Sequence, residues 1–481
     1  MKIQKLLQGI SLVETNVDMD TQVSAVYYDS RQVTPGSLFV AVSGFAADGN
    51  RFIPMALEKG AVAVVTARKP EGEIPYILVE NDRLALAMLG VNFYGAPARS
   101  MTMIGITGTN GKTSTTLLLK HVLEQTRQAK VGLVGTMFNL IGQEEIPTER
   151  TTPESFELQG LFARMRDAGC TYGVMEVSSH AIALERVGGV RYDVAAFTNL
   201  TEDHLDFHKT MENYCDTKAE LFARCDKAVV NCDDPWFDRV TAKATCPVLT
   251  TSVQDKGGLN ARDVELLPDG VRFTVCYEEQ KLPVRLGIPG KFTVYNALTV
   301  LGIALQLGIG LEEAVDALAT APGVKGRVEV VPTPGKPYTV LIDYAHTPDG
   351  LENVLSSVRS YCQGRLIAVF GCGGDRDPIK RPIMGRIGTR LADLAIITSD
   401  NPRTEDPMAI IRDICVGADE TGKTYKVICD RRKAIEYALT IGEKKDIIIL
   451  AGKGHETYQE INHVKYHLDE REEVARILAE S

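Results

Sequence analysis

The sequence predicts an α/β protein built as three consecutive blocks. Strand-like and helix-like runs alternate along all 481 residues, the pattern of sheets layered with helices. One strand runs into a glycine-rich loop and then a helix, the order of a phosphate-binding P-loop. Further on, five short apolar runs separated by helical patterns read as buried parallel strands, a doubly wound, Rossmann-like arrangement.

The first block covers residues 1–98. Residues 37–42 and 61–66 are short β-rich runs. Between them, 52–59 has a helical pattern, and Gly60 suits its C-cap because glycine accepts the left-handed conformation that ends a helix. The block ends near Ala96-Pro97-Ala98. The central block, 99–330, opens with an apolar strand over 101–107, then the loop, then a helix over 112–125. Residues 172–177, 194–198 and 227–231 are further strands that each end in polar residues. Ligands of open α/β sheets gather at such carboxyl ends. The third block, 331–481, carries strands over 338–344, 366–370, 394–398, 425–429 and 447–451, with a helix over 434–440. Its Gly371-Cys372-Gly373-Gly374-Asp375-Arg376 lacks the last glycine of a dinucleotide fingerprint, so no dinucleotide site is expected.

Composition narrows the function. With 44% hydrophobic and 24% charged residues, a well-cored globular chain is expected. A net charge of −10 without a basic stripe argues against nucleic acid or an anionic membrane as partner. Residues 1–10 are too polar for a secretory signal, and no apolar run approaches the roughly 20 residues of a membrane span. Ten scattered cysteines without a C-x-x-C pair suggest reduced thiols and a cytoplasmic location.

The loop Gly105-Ile106-Thr107-Gly108-Thr109-Asn110-Gly111-Lys112-Thr113 is the strongest chemical signal. Its glycines let several backbone N–H groups face one point, and the helix that follows adds the positive end of its dipole. Lys112 can reach β- and γ-phosphates, and the Thr113 hydroxyl can bind Mg²⁺. The strict pattern wants glycine at 106, where Ile106 stands, and a glycine turn that only caps a helix is the plain alternative. The loop alone indicates a nucleoside triphosphate and does not choose among kinase, GTPase and ligase.

Residues 107–113 resemble the ATP loop of the Mur ligases, and further segments agree in that family's order. They are Asp29-Ser30-Arg31, Thr151-Thr152-Pro153, Glu176-Val177-Ser178-Ser179-His180, the run 198–206, Lys218, Tyr295-Asn296-Ala297 and Gly326-Arg327. Then follow residues 343–348, Asp400-Asn401-Pro402-Arg403 and 452–456. The match spans essentially the whole chain and is nearest to the branch that adds diaminopimelate. The resemblance implies that 1–98 binds the UDP substrate, 99–330 binds ATP and 331–481 brings the amino acid. It implies a cytoplasmic, monomeric ligase acting on UDP-MurNAc-L-Ala-D-Glu, meso-diaminopimelate and ATP through an acyl phosphate.

Site residues follow from the same resemblance. ATP would meet Gly108, Thr109, Asn110, Gly111, Lys112, Thr113, Ser114, Asn296, Arg327, Asp343 and His346. Lys112, Lys218 and His204 would be catalytic; Thr113, Glu176, His204 and a CO₂-derived carbamate on Lys218 would hold Mg²⁺. Ser30, Thr151, Thr152, Ser178 and Arg186 would hold the UDP substrate, with Leu184 standing where some relatives carry glutamine. Arg376, Asp400, Asn401, Pro402, Arg403, Gly452 and Glu456 would bind diaminopimelate. Arg403 can pair bidentately with the carboxylate that lysine lacks at that end.

Each residue has a plainer reading. Glu176 could cap the next helix, and His204 could be a hydrogen-bonded core histidine, since Mg²⁺ prefers oxygen. Lys218 lies in an amphipathic helical run, 211–222, where a lysine is usually a solvated charge. Ser30 could sit in an ordinary turn, His346 in a surface loop, and 400–403 in a turn that starts a helix. Rival functions are a lysine-adding relative, a folylpolyglutamate synthetase, an ATP-driven switch and a nucleotide-sugar binding module. Closure on binding is expected about hinges near Ala98 and Val331.

Overall fold

A computed structural model describes residues 1–44, 48–148 and 150–480. Two compact units are present. One contains Met1–Ser252, Lys256–Gly258 and Thr299–Ala314; the other contains Val253–Asp255, Leu259–Leu298 and Val315–Ser481.

The first unit holds two sheets. Its N-terminal sheet has the strand order Leu12–Thr15, Tyr76–Val79, Ala63–Thr66, Leu38–Val40, Val26–Tyr27. All neighbours are parallel except Leu12–Thr15, which runs antiparallel to Tyr76–Val79. Leu38, Val40, Ala63, Val65 and Ile77 pack with Ala85, Leu86 and Leu89 of the helix Asp82–Phe93. The two β-rich runs read from sequence are strands here, and the helix between them is Ile53–Glu58, followed by Gly60 at φ +92°. The edge strands Leu12–Thr15 and Val26–Tyr27 went unread, since they are short and largely polar or half-exposed.

The second sheet places Thr102–Thr107 between Tyr172–Glu176 and Tyr192–Phe197, all parallel. Parallel pairing extends to Val131–Val134 on one side and to Cys225–Asn231 and Val248–Ser252 on the other. The strand that feeds the glycine loop is therefore interior, buried on both faces, and its carboxyl end opens where neighbouring strands also end.

The second unit carries a sheet of order Glu329–Val331, Thr339–Asp343, Ile447–Ala451, Leu366–Phe370, Leu394–Ile397, Tyr425–Val427. The five strands read from sequence are its five parallel members; Glu329–Val331 is antiparallel to Thr339–Asp343. The antiparallel meander Leu259–Leu267, Gly270–Tyr277, Gln280–Leu286 and the hairpin Tyr458–Ile461/Val464–His467 were not anticipated. The helices Lys380–Leu391 and Pro407–Asp419 touch backbone to backbone: a Cβ on Gly385 would overlap the Ile414 carbonyl, and one on Gly417 the Pro382 carbonyl. No helix among the described residues is long and apolar enough to cross a membrane.

Candidate functional site

The phosphate loop is shaped by the residues that follow the neighbouring strand. Gly108 and Gly111 have φ of +146° and +86°, and the helix Lys112–Arg127 starts directly after Gly111. Thr109 N donates to Asn199 O at 2.8 Å, Asn110 N to Asn199 Oδ1 at 3.0 Å, and Thr198 Oγ1 to Asn110 O at 2.7 Å. A Cβ on Gly108 would overlap Thr198 Oγ1, so glycine is required there. Lys112 Nζ folds back onto Gly108 O and Thr109 O, both at 2.8 Å. The loop is thus a braced structure between strand and helix rather than a simple cap.

Lys218 is 1% exposed, which overturns its reading as a solvated charge. Its Nζ donates to Gly108 O at 3.0 Å, the carbonyl that Lys112 also uses, and lies 4.6 Å from the Tyr214 ring centroid. Burial, reinforced by the Lys112 charge, holds its ammonium well below the ordinary lysine range. Glu176 does not cap the next helix, because Ser178 Oγ takes that place by accepting from Ala181 N. The buried Glu176 carboxylate instead accepts from Thr136 N at 3.0 Å and Thr136 Oγ1 at 2.9 Å. His204 is not a core histidine: its side chain is 47% exposed, its backbone is left-handed, and its ring meets His180 edge-on at 4.8 Å.

Of the residues expected to hold the UDP substrate, Thr151, Thr152, Ser178 and Arg186 gather beside Glu176, while Ser30 lies against Met55. Thr151 Oγ1 lies 3.1 Å from Thr136 Oγ1, and Thr152 Oγ1 donates to Glu176 O at 2.9 Å. Ser178 N donates to Thr152 Oγ1 at 3.3 Å, and Arg186 Nη1 to Thr152 O at 3.3 Å. Arg186 also lies 3.4 Å from Glu154, whose carboxylate Arg83 approaches to 3.8 Å. Ser30 is buried, with Oγ 3.5 Å from Met55 Sδ. Thr113 is buried and Ser114 follows it on the loop helix.

In the second unit, 400–403 does not start a helix; Asp406 caps the next one, Pro407–Asp419. Asp400 and Asn401 are buried. Asn401 Oδ1 accepts from Lys453 Nζ at 3.0 Å and Glu460 N at 2.9 Å, and its Nδ2 donates to Glu456 Oε2 at 2.9 Å. Arg403, left-handed at φ +50°, has Nη1 on Gly374 O at 2.7 Å and Nε 3.2 Å from Glu460 Oε2. Two of its guanidinium nitrogens are thus anchored, which orients the third. Gly452 lies against Asp400, since a Cβ there would sit 2.5 Å from Oδ2. Arg376 is exposed on its loop and donates to Asp375 O at 3.1 Å.

Asn296, Arg327, Asp343 and His346 also belong to the second unit. Both Asp343 oxygens accept backbone N–H groups, from Val328 and Ala345 at 2.8 Å each, so this carboxylate clamps its own loop. Arg327 lies over the Tyr344 ring at 5.2 Å. His346 is exposed, its Nδ1 2.8 Å from Tyr344 O, which fits the surface-loop reading. Asn296 is buried on the helix Lys291–Gln306.

Comparison with known proteins decides the family. Residues 22–94 match "Mur ligase family, catalytic domain", 106–304 match "Mur ligase middle domain", and 326–454 match "Mur ligase, glutamate ligase domain". A Caldanaerobacter subterraneus subsp. tengcongensis protein named UDP-N-acetylmuramoyl-L-alanyl-D-glutamate–2,6-diaminopimelate ligase is 48% identical over 485 residues, covering 100% of both chains. The chain belongs to the Mur ligase family. A Clostridium tetani Mur ligase of the same name is 45% identical over 487 residues, again covering 100% of each. A solved Mur ligase structure described by that name aligns at a TM-score of 0.75 with 31% identity, covering 100% of this chain and 99% of the other. The MurF ligase of Thermotoga maritima in complex with ADP, at 22% identity and a TM-score of 0.60 over 96% of this chain and 97% of its own, shares the fold.

Mur ligases use ATP with Mg²⁺, and the donors present suit that ion. No three His, Cys, Asp or Glu side chains gather as a metal cage among the described residues. Mg²⁺ needs no such cage: one or two carboxylates and substrate phosphates suffice. Thr113 and Glu176 offer hard oxygen. Sequence reasoning missed Thr136, which holds Glu176, and Glu154, which faces Arg186. It also missed Lys453 and Glu460, which brace Asn401 and Arg403. Lys453 stood inside a segment already singled out; the others carry no signal until the chain folds.

Proposed function

We propose that this chain is an ATP-dependent ligase that joins meso-diaminopimelate to UDP-MurNAc-L-Ala-D-Glu in peptidoglycan synthesis. The carrying observation is that Lys112 and the buried Lys218 meet on one carbonyl of the phosphate loop, Gly108 O. The D-Glu γ-carboxylate attacks the γ-phosphorus of ATP, the bond to the β–γ bridging oxygen breaks, and ADP leaves. The diaminopimelate amine then attacks the acyl carbon, phosphate leaves, and the nitrogen loses a proton. Lys112 and the loop N–H groups offset charge on the phosphates.

Thr113, Glu176, His204 and a carbamate on Lys218 would hold Mg²⁺, which would supply further charge neutralisation when bound. The carbamate forms when the neutral Lys218 amine adds CO₂ and releases a proton. Full burial beside a second ammonium favours that neutral amine, and the product exchanges a repelled cation for an anionic oxygen pair. Ser30, Thr151, Thr152, Ser178 and Arg186 hold the UDP substrate. Asp400, Asn401, Pro402, Arg403, Gly452 and Glu456 receive diaminopimelate, with Arg376 on its second carboxylate. Asn296, Arg327, Asp343 and His346 serve the nucleotide. Residues 1–98, 99–330 and 331–481 form the corresponding domains of a cytoplasmic monomer, closing about Ala98 and Val331.

The test is phosphate release from ATP and Mg²⁺ with UDP-MurNAc-L-Ala-D-Glu, comparing meso-diaminopimelate, L-lysine and no amino acid. Turnover with diaminopimelate alone is expected. Turnover with lysine would keep the ligase and discard the specificity; turnover without either added substrate would favour an ATP-driven switch.

A further inference from the structure

We propose that Lys453 is a positioning residue that sets specificity in the amino-acid site, by fixing the Asn401 amide and the Glu456 carboxylate. The role rests on the diaminopimelate reading of 400–403 and Glu456. Lys453 follows the central strand Ile447–Ala451 and sits between Gly452 and Gly454, with φ of +119° and +53°. Glycine accepts the positive φ on either side of it, and Lys453 itself is 0% exposed.

An ammonium taken fully out of water is costly unless partners replace its hydration. Lys453 Nζ has two such partners, Asn401 Oδ1 and Glu456 Oε2, each at 3.0 Å. The Tyr458 ring lies 5.6 Å away. Two donors, Lys453 Nζ and Glu460 N, therefore point at Asn401 Oδ1, which fixes the sense of the amide. Asn401 Nδ2 must then face Glu456 Oε2, at 2.9 Å. With Oε2 occupied by two donors, Oε1 is the carboxylate's remaining acceptor for an incoming ammonium. Without Lys453, Asn401 Oδ1 keeps one donor, Glu460 N, instead of two, and Glu456 Oε2 keeps only Asn401 Nδ2.

The charge matters as well as the hydrogen bonds. Burial pushes the Asp400 carboxyl up, but the Lys453 and Arg431 charges more than offset this and hold it below its ordinary range. Arg431 is itself buried against Glu470 at 2.8 Å, so it serves two acids. Lys453 is thus the one of this pair that also bonds directly to residues of the proposed site.

The test uses the full chain with Lys453→Met, and Lys453→Gln as a smaller perturbation that keeps a donating NH₂ group without the charge. KM is measured separately for meso-diaminopimelate, ATP and the UDP substrate, alongside thermal unfolding. We expect KM for diaminopimelate to rise at least about tenfold, the scale of losing a buried charge-assisted hydrogen bond, with the other two KM values unchanged. The acid limb of kcat/KM for the amino acid should also move to higher pH as Asp400 loses a neighbouring cation, while Arg431, His346, Tyr344, Glu456 and Glu470 stay in place around it. If the methionine variant unfolds, the glutamine variant carries the same KM test. Unchanged KM for diaminopimelate, or a parallel rise for all three substrates, overturns the role. No turnover by the unaltered chain overturns the ligase reading and this role with it.

Discussion

Lys218 shows how far one side chain departs from its local pattern. Its helical run reads as amphipathic, where a lysine is usually a solvated charge, yet the tertiary fold turns this lysine beneath the phosphate loop and buries it. Lys218→Ala should reduce ligation about a hundredfold or more, the scale on which misplacing reacting groups is felt. Added short carboxylic acids should restore part of the rate by supplying the missing anion. Normal activity of the variant, or no rescue, would sink the carbamate. Arg403 offers the second test at this scale. Glu460 and Gly374 O engage two of its guanidinium nitrogens, so a lysine substrate would leave the third without the substrate carboxylate that diaminopimelate brings. Arg403→Ala should narrow discrimination between meso-diaminopimelate and L-lysine by about tenfold or more in kcat/KM. The residue types at 218 and 403 were visible in the sequence. What surrounds them was not, because Gly108, Gly374 and Glu460 arrive from other segments.

Among elements, the loop Gly108–Gly111 was legible from its order between strand and helix, despite Ile106. Its bracing was not, since Thr198 and Asn199 come from the end of an adjacent parallel strand. Gly108→Ala should displace that bracing and cut ATP turnover about a hundredfold while the chain remains folded. ATP affinity and turnover equal to the unaltered chain would show the loop to be slack. The helix pair Lys380–Leu391 and Pro407–Asp419 makes a different demand. Gly417→Ala drives a methyl into the Pro382 carbonyl at a backbone contact, and should cost about 1–3 kcal/mol in urea unfolding.

For the whole molecule, acid lability follows from two histidines. Burial lowers the His208 and His455 rings from the ordinary 6.5 to about 4, with neighbouring cations adding to the effect. Between those values the unfolded chain binds protons that the folded chain refuses, so stability rises with pH across that window and is lost as pH falls from 6.5 toward 4. The urea midpoint should therefore drop on acidification through this range. His455→Asn should flatten its share of the slope; an unaltered slope would place the acid lability elsewhere.

The sequence by itself determined the α/β class, the phosphate loop, the five parallel strands of the last sheet and the ordered motifs of the family. These are local or periodic: apolar runs of strand length, glycines at a turn, and a lysine at a helix start are encoded within a few neighbours. It did not determine the edge strands and the antiparallel meander, whose mixed polarity takes its meaning from pairing. Only the tertiary structure decided that Lys218 and Lys453 are buried, that Glu176 is held by Thr136, and that Asp343 clamps its own backbone. Burial and hydrogen-bond partnership are properties of distant segments brought together, and a charge has no environment until they meet.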